Sequence, residues 1–181
     1  MVVVVLIDDL LVLALVLFTD RAILGQQLHL AAGLEAAGAL AAGAKGVGLF
    51  RTELLYLGLD QPPTKDEQVE EYSNLLRAFT GKRVLVRVLD LDFDKPLPFL
   101  KETGTGKYAN RGLQVLLANQ DVLETQLEAL AEAQKLNPKT DLWVMAPMVL
   151  SVAEAQQFAA LARAAGLKKV GVMIEVPEVT E

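Results

Sequence analysis

The chain reads AAGAKGVGLFR over residues 41–51. The alanine-rich start is typical of a helix end, Gly43 of a helix cap, and the apolar run that follows of a short buried strand stopping at Arg51. Residues 164–171 read AAGLKKVG and repeat the same order of helix end, glycine cap, turn and strand start. A helix-to-strand unit that occurs twice predicts the α/β class, in which helices and strands alternate.

The sequence on either side continues this alternation. Apolar runs predict strands at 47–50, 84–86, 142–145 and 170–174, with a weaker signal for one at 28–32. Helices are predicted at 34–42, 64–79, 121–136 and 151–165, and capping-box sequences open two of them, at Thr64 and Ser151. The strands are nearly all apolar rather than alternating, which is typical of a parallel sheet covered on both faces.

The composition allows a sizeable core and excludes several kinds of functional site. Hydrophobic residues make up 52% of the 181 residues and charged residues 22%, while a net charge of -6 leaves no basic stripe for nucleic acid. The absence of cysteine excludes a disulfide framework, a thiol nucleophile and cysteine-ligated zinc, and it fits a reducing cytoplasm. The one histidine, His29, has an apolar setting that is more typical of a packed side chain than of a catalytic one.

The N-terminal segment is strongly apolar from Val2 to Phe18. Asp8 and Asp9 divide it into pieces far shorter than the roughly 20 residues that a membrane-spanning helix needs. No Lys or Arg precedes it, so it lacks the basic start of a signal peptide. We interpret it as buried strand or helix, and we divide the chain into an apolar N-terminal segment of unassigned role, 1–27, and a folded domain, 28–181.

Charged side chains stand where three of the predicted strands end. Arg51 follows the strand at 47–50, Arg87 the strand at 84–86, and Glu175 the strand at 170–174. The carboxyl ends of parallel strands meet at one edge, where α/β barrels place their chemistry. Two guanidinium forks suit a ligand with several anionic oxygens, and a carboxylate beside them suits Mg²⁺, which often takes one or two carboxylates plus substrate phosphate. Surface ion pairing is the alternative for each of the three side chains.

A series of segments resembles, in chain order, motifs of phosphoenolpyruvate-utilising enzymes. They are GVGLFRTE at 46–53, PTKDEQ at 63–68, VRVLD at 86–90, DKPLPFL at 94–100, RG at 111–112, MAPM at 145–148 and GVMIEVP at 171–177. Each match alone is weak, but their order from about Leu28 to Val179 is specific. Together they are most similar to the phosphoenolpyruvate-binding barrel of enzyme I, the phosphoenolpyruvate–protein phosphotransferase of the bacterial sugar phosphotransferase system.

The resemblance implies a fold and a set of roles. The fold would be a (β/α)8 TIM-type barrel that is cut off after about its fifth strand. Arg51 and Arg87 would hold the phosphate of phosphoenolpyruvate, Lys95 and Arg111 would line the same anionic pocket, and Glu175 would be one of two Mg²⁺ ligands. The chain would contain no catalytic residue, because in the family the phosphoryl group passes to a histidine on a separate swivelling domain and then to the carrier protein HPr.

Features of the family that the sequence lacks lead to further expectations. The second metal ligand and the phosphorylated histidine would lie outside residues 1–181, so the chain alone is expected not to complete turnover. An open partial barrel exposes apolar surface, so self-association or a homodimer is expected. We expect no nucleic-acid or membrane partner and a cytoplasmic location. Two alternatives stay open, namely a fragment of a pyruvate phosphate dikinase or phosphoenolpyruvate synthase, and a non-catalytic interaction or dimerisation module.

Overall fold

The structure, a computed structural model, describes residues 36, 38–91, 97–103 and 107–176. The strands are β1 (Gly46–Arg51), β2 (Arg83–Arg87), β3 (Asp141–Ala146) and β4 (Val170–Val172), and a 3-10 turn, Thr52–Leu55, follows β1. The helices are α1 (Lys65–Ala78), α2 (Gly112–Ala118), α3 (Gln120–Leu136) and α4 (Val152–Ala164). Residues 36 and 38–41 are also helical and precede the turn at Gly43.

The described strands form one parallel sheet in the order β1-β2-β3-β4. Each crossover between neighbouring strands contains helix: α1 follows β1, α2 and α3 follow β2, and α4 follows β3. This arrangement confirms the predicted α/β class and the parallel sheet. The weaker strand signal at 28–32 and the apolar segment at 1–27 lie outside the described residues.

The core lies on one face of the sheet. Alternate residues of β2 and β3 on this face are at most 5% exposed and belong to one apolar cluster with side chains of α1, α2, α3 and α4; they are Val84, Val86, Leu142, Val144 and Ala146. On the opposite face Leu85, Trp143 and Met145 are only half-buried. The prediction of a sheet covered on both faces therefore holds on one face only within the described residues, because these four helices contribute to the same core.

The helix starts follow the predicted capping chemistry with one difference. At α1 the Thr64 hydroxyl accepts the N–H of Glu67 at 3.3 Å, and the Glu67 carboxylate accepts the N–H of Thr64 at 2.7 Å, which completes the capping box. At α4 the Ser151 hydroxyl accepts the N–H of Glu154 at 3.2 Å. The Glu154 carboxylate accepts the N–H of Leu150 at 2.7 Å, one residue before the cap, so only half of this box forms as predicted.

Of the other local predictions, the glycine helix caps are confirmed, whereas β4 is shorter than predicted and α2 was not predicted from periodicity. Gly43 and Gly166 have φ values of 89° and 104°, which is the left-handed conformation predicted for both helix caps. The strand predicted at 170–174 is shorter, although the N–H of Met173 still donates to the Ala146 carbonyl at 2.9 Å. Periodicity did not predict α2, whose seven residues are too few to show it, although the helix begins at the RG segment, 111–112, that resembles a family motif.

Candidate functional site

The carboxyl edge of the sheet brings two of the predicted residues side by side. Arg51 ends β1, Arg87 ends β2, and the two residues pair in register after a bulge between Val47 and Phe50. Met145 of β3 continues the same row next to Arg87. Because paired residues of neighbouring strands point to the same face, both guanidinium groups extend from the half-buried face of the sheet. Arg51 is exposed, whereas the Arg87 side chain is only 13% exposed.

Two carboxylates hold the guanidinium of Arg87. Its Nη2 contacts Glu53 Oε1, and its Nη1 lies 3.1 Å from Asp90 Oδ2. The side chains of Glu53 and Asp90 are 21% and 20% exposed, so these ion pairs are largely shielded from water. Arg87 is thus an ion-pair partner, although not at the surface as the alternative reading has it, and each carboxylate engages one nitrogen of a group that carries five N–H donors. The pairs fix the orientation of the guanidinium and leave donors for a further anion.

Asp90 lies in an unusual electrostatic setting for a carboxyl group. Burial raises its pKa to about 6, and the negative charges of Glu53 and Glu175 act in the same direction. The Arg87 cation and a hydrogen bond from the Gly112 N–H lower the pKa but do not outweigh burial. The raised pKa of Asp90 therefore comes from burial first and from the charges of Glu53 and Glu175 second, against the opposing attraction of Arg87.

Glu175 reaches the same edge through the segment that follows β4. Its Oε2 accepts the N–H of Met148 at 3.0 Å, and its side chain is exposed. Met148 has a φ of 30°, which is uncommon for a residue other than glycine. A Cβ added to Gly112 would lie 2.7 Å from the Cβ and the carbonyl oxygen of Met148, so these two segments are in close contact. The contact links Glu175, through Met148 and Gly112, to Asp90.

Of the two remaining predicted site residues, Arg111 and Lys95, the structure describes only Arg111. Arg111 is half-buried and directly precedes Gly112, which places it at the start of α2 beside Asp90. Lys95 lies outside the described residues. Within the part of the chain that the structure describes, no group of three Asp, Glu or His side chains could hold a metal ion. Over the same residues no helix is long and apolar enough to cross a membrane.

The sequence did not single out Glu53 or Asp90 as site residues, although both were quoted within matching segments. A positional signal was available, because each follows an edge arginine by two or three positions beyond a predicted strand. The 3-10 turn at Thr52–Leu55 directs Glu53 back towards Arg87, and that direction depends on backbone geometry that a strand prediction does not contain.

Comparison with known proteins gives consistent matches. A model described as the phosphoenolpyruvate-binding domain of phosphoenolpyruvate-utilising enzymes matches residues 27–180. The phosphoenolpyruvate-protein phosphotransferase of Streptomyces coelicolor is 48% identical over 143 residues, which cover 77% of this chain and 26% of that protein. Proteins of the same name from Staphylococcus aureus and Staphylococcus carnosus are 39% and 37% identical, over 77% and 84% of the chain. The chain spans about a quarter of the length of the curated relatives it matches.

Proposed function

The chain belongs to the phosphoenolpyruvate-utilising enzymes, through their phosphoenolpyruvate-binding domain, and on that premise we propose that it forms the phosphoenolpyruvate-binding part of a phosphoenolpyruvate–protein phosphotransferase. The matches to relatives of that name support this reading over a dikinase or synthase fragment and over a non-catalytic module. The observation that carries the binding role is the pairing of Arg51 and Arg87 in one row at the carboxyl edge of a parallel sheet.

For the fold, we propose that the sheet is a series of consecutive strands from a (β/α)8 barrel. Strand order follows chain order, and the crossovers place helices on one face, as in the wall of such a barrel. The opposite face carries apolar Leu85, Trp143 and Met145 in a half-buried state. A closed barrel would bury these three side chains in its interior. Self-association or a homodimer would cover them in the isolated chain.

Phosphoenolpyruvate is a compact anion with a phosphate and a carboxylate, and the edge residues suit both groups. Arg51 offers an exposed guanidinium, and the partly buried Arg87 offers one whose orientation Glu53 and Asp90 fix. Preorganised cations lower the cost of binding, because less side-chain freedom is lost when the ligand arrives. Arg111, at the start of α2, and Lys95 would complete the anionic pocket.

Mg²⁺ is the cofactor that this proposal includes, with Glu175 as one of its two expected protein ligands. An exposed carboxylate that the Met148 N–H orients is a hard oxygen donor of the type that Mg²⁺ prefers. One or two carboxylates fit a site in which substrate phosphate completes the coordination. When bound, the ion would neutralise charge on the phosphoryl group.

The chain's own residues would bind, orient and neutralise the substrate, which is most of what phosphoryl transfer requires of a protein. By family, the acceptor would be a histidine on a swivelling domain, and HPr would receive the group next, within sugar transport. On the same basis we propose a cytoplasmic location. The only histidine of the chain, His29, is not assigned this role.

Calorimetric titration of phosphoenolpyruvate into the chain and its arginine variants tests the binding role. Arg87→Ala should weaken binding about 10- to 100-fold, since a charge-assisted contact is worth roughly 1.5–3 kcal/mol. Arg87→Lys should not restore affinity, because an ammonium cannot reproduce the planar fork. Arg83→Ala is the matched control, since Arg83 starts the same strand at the opposite edge. Equal affinity of Arg87→Ala and the unaltered chain would contradict the proposed site.

A further inference from the structure

Gln126 of α3 is a fully buried polar residue beneath the carboxyl edge of the sheet. Its Oε1 accepts the N–H of Leu89 at 2.9 Å. Its Nε2 donates to the Thr52 hydroxyl at 3.1 Å and to the Tyr72 hydroxyl at 2.9 Å. Thr52 and Tyr72 are also fully buried, so these bonds have little competition from water.

These bonds extend the fixed backbone beyond the end of β2. The pairing of β1 with β2 stops at Arg51 and Arg87. Beyond it, the Thr52 hydroxyl donates to the Arg87 carbonyl at 3.0 Å and the Val88 N–H donates to the Met145 carbonyl at 3.0 Å. With the Leu89 N–H on Gln126, three consecutive residues have a backbone group held in place. The last of them directly precedes Asp90, the partner of Arg87.

Gln126 lies on a face of α3 that is otherwise apolar. Its helix neighbours one turn away on either side, Val122 and Leu130, are apolar and buried, as is the adjacent Leu127. A leucine would suit that face, whereas a buried amide loses stability unless all its groups are paired. Gln126 is paired with groups of the β1 end, of α1 and of the segment after β2, so its hydrogen bonds connect the elements that carry the two edge arginines.

We propose that Gln126 is a positioning residue that holds the end of β1 and the segment after β2 in register, and so sets the orientation of the Arg87 guanidinium for an anionic ligand. The identity of that ligand as phosphoenolpyruvate rests on the proposed function. The orientation of Arg87 does not rest on it, because the contacts with Glu53 and Asp90 define that orientation.

The chain offers a matched control in the same helix. Gln134 of α3 also accepts a backbone N–H, from Leu142 at 3.2 Å, and donates to two acceptors, the carbonyls of Asn137 and Thr140 at 3.1 and 3.0 Å. These contacts lie at the amino edge of the sheet, away from Arg87. Gln126→Met and Gln134→Met therefore remove the same kinds of hydrogen bond from opposite ends of the sheet with little change in side-chain volume.

The experiment compares both variants of the full chain by thermal unfolding, by the NMR signal of the Arg87 Nε–H, and by calorimetric titration with phosphoenolpyruvate. We expect both variants to lose stability. Only Gln126→Met should shift the Arg87 Nε–H signal and weaken binding, by about tenfold, which corresponds to about 1.4 kcal/mol. Thr52→Val, a change of similar shape, serves as a second variant if Gln126→Met does not fold, and it should shift the same signal.

Different results would refute the positioning role of Gln126 and the proposed binding of phosphoenolpyruvate. An Arg87 signal that stays unchanged in Gln126→Met and Thr52→Val would overturn the positioning role, whatever the ligand. Equal weakening of binding by Gln126→Met and Gln134→Met would overturn it too, because the loss would then follow stability alone. If the unaltered chain does not bind phosphoenolpyruvate, the proposed function falls, and the Arg87 signal alone decides the role of Gln126.

Discussion

Replacing Asp90 by asparagine should remove part of the pH dependence of the free energy of unfolding. Burial raises the pKa of Asp90 from its ordinary value of 3.8 to about 6, with Arg87 opposing and Glu53 and Glu175 adding to the rise. Between these pH values the folded chain holds a proton that the unfolded chain releases. Stability therefore falls as the pH rises through this window, and the loss is complete above about pH 6.

The size of the effect follows from the same numbers. A rise from 3.8 to about 6 corresponds to about 3 kcal/mol, because each pKa unit is worth about 1.4 kcal/mol. The asparagine side chain of Asp90→Asn cannot ionise, although its amide oxygen can still accept the Gly112 N–H. The free energy of unfolding of Asp90→Asn minus that of the unaltered chain should thus be about 3 kcal/mol larger at pH 7 than below pH 4.

Urea unfolding of both proteins at a series of pH values measures this difference. Asp141→Asn is a control of opposite sign: burial acts to raise the pKa of Asp141, but hydrogen bonds from Lys169 and Arg83 bring it below its ordinary value. Removing Asp141 should therefore cost more stability as the pH rises. A difference for Asp90→Asn that stays constant with pH would show that attraction to Arg87 balances burial, and one that shrinks would show that it outweighs burial; either result would refute the reasoning.

Two further changes test the packing that supports the edge. Gly112→Ala should cost more stability than Gly166→Ala in denaturant unfolding, because both have positive φ (59° and 104°) but only the Cβ at Gly112 would meet Met148, at 2.7 Å. Equal costs would mean that this contact relaxes freely. Thr64→Ala should lower the free energy of unfolding by about 1 kcal/mol, since it removes the α1 capping box. Thr125→Ala, at a half-buried threonine inside α3 whose hydroxyl donates to the Asp121 carbonyl, should lower it less, and a similar loss in both variants would argue against the cap.

Much of the fold could be predicted because its local signals are short-range. The apolar runs around Val84 and Val144 marked strands, and Gly43 and Gly166 marked helix ends through backbone conformations that favour glycine. The strand bounds differ by one or two residues, since Arg83 and Arg87 join the ladder through backbone groups whatever their side chains. The exposure of the second sheet face depends on which helices pack where, and no single strand pattern contains that information.

The candidate site was predictable in position but not in its internal contacts. Arg51 and Arg87 could be placed at one edge because parallel strands share a carboxyl end. The ion pairs of Glu53 and Asp90 with Arg87 could not be predicted, since they depend on a 3-10 turn and on burial. The sequence did contain a signal for Gln126, because it is a polar residue on the otherwise apolar face of the predicted helix at 121–136.

The central claim is that Arg51 and Arg87 form one anion site for phosphoenolpyruvate at the carboxyl edge of the sheet. The most direct measurement follows the arginine Nε–H signals by NMR while phosphoenolpyruvate is added to the chain. We predict that the signals of Arg51 and Arg87 shift together with a single dissociation constant, while that of Arg83 at the amino edge stays in place. The account would be contradicted if the Arg83 signal shifted while those of Arg51 and Arg87 did not. It would also be contradicted if none of the three signals shifted at saturating phosphoenolpyruvate.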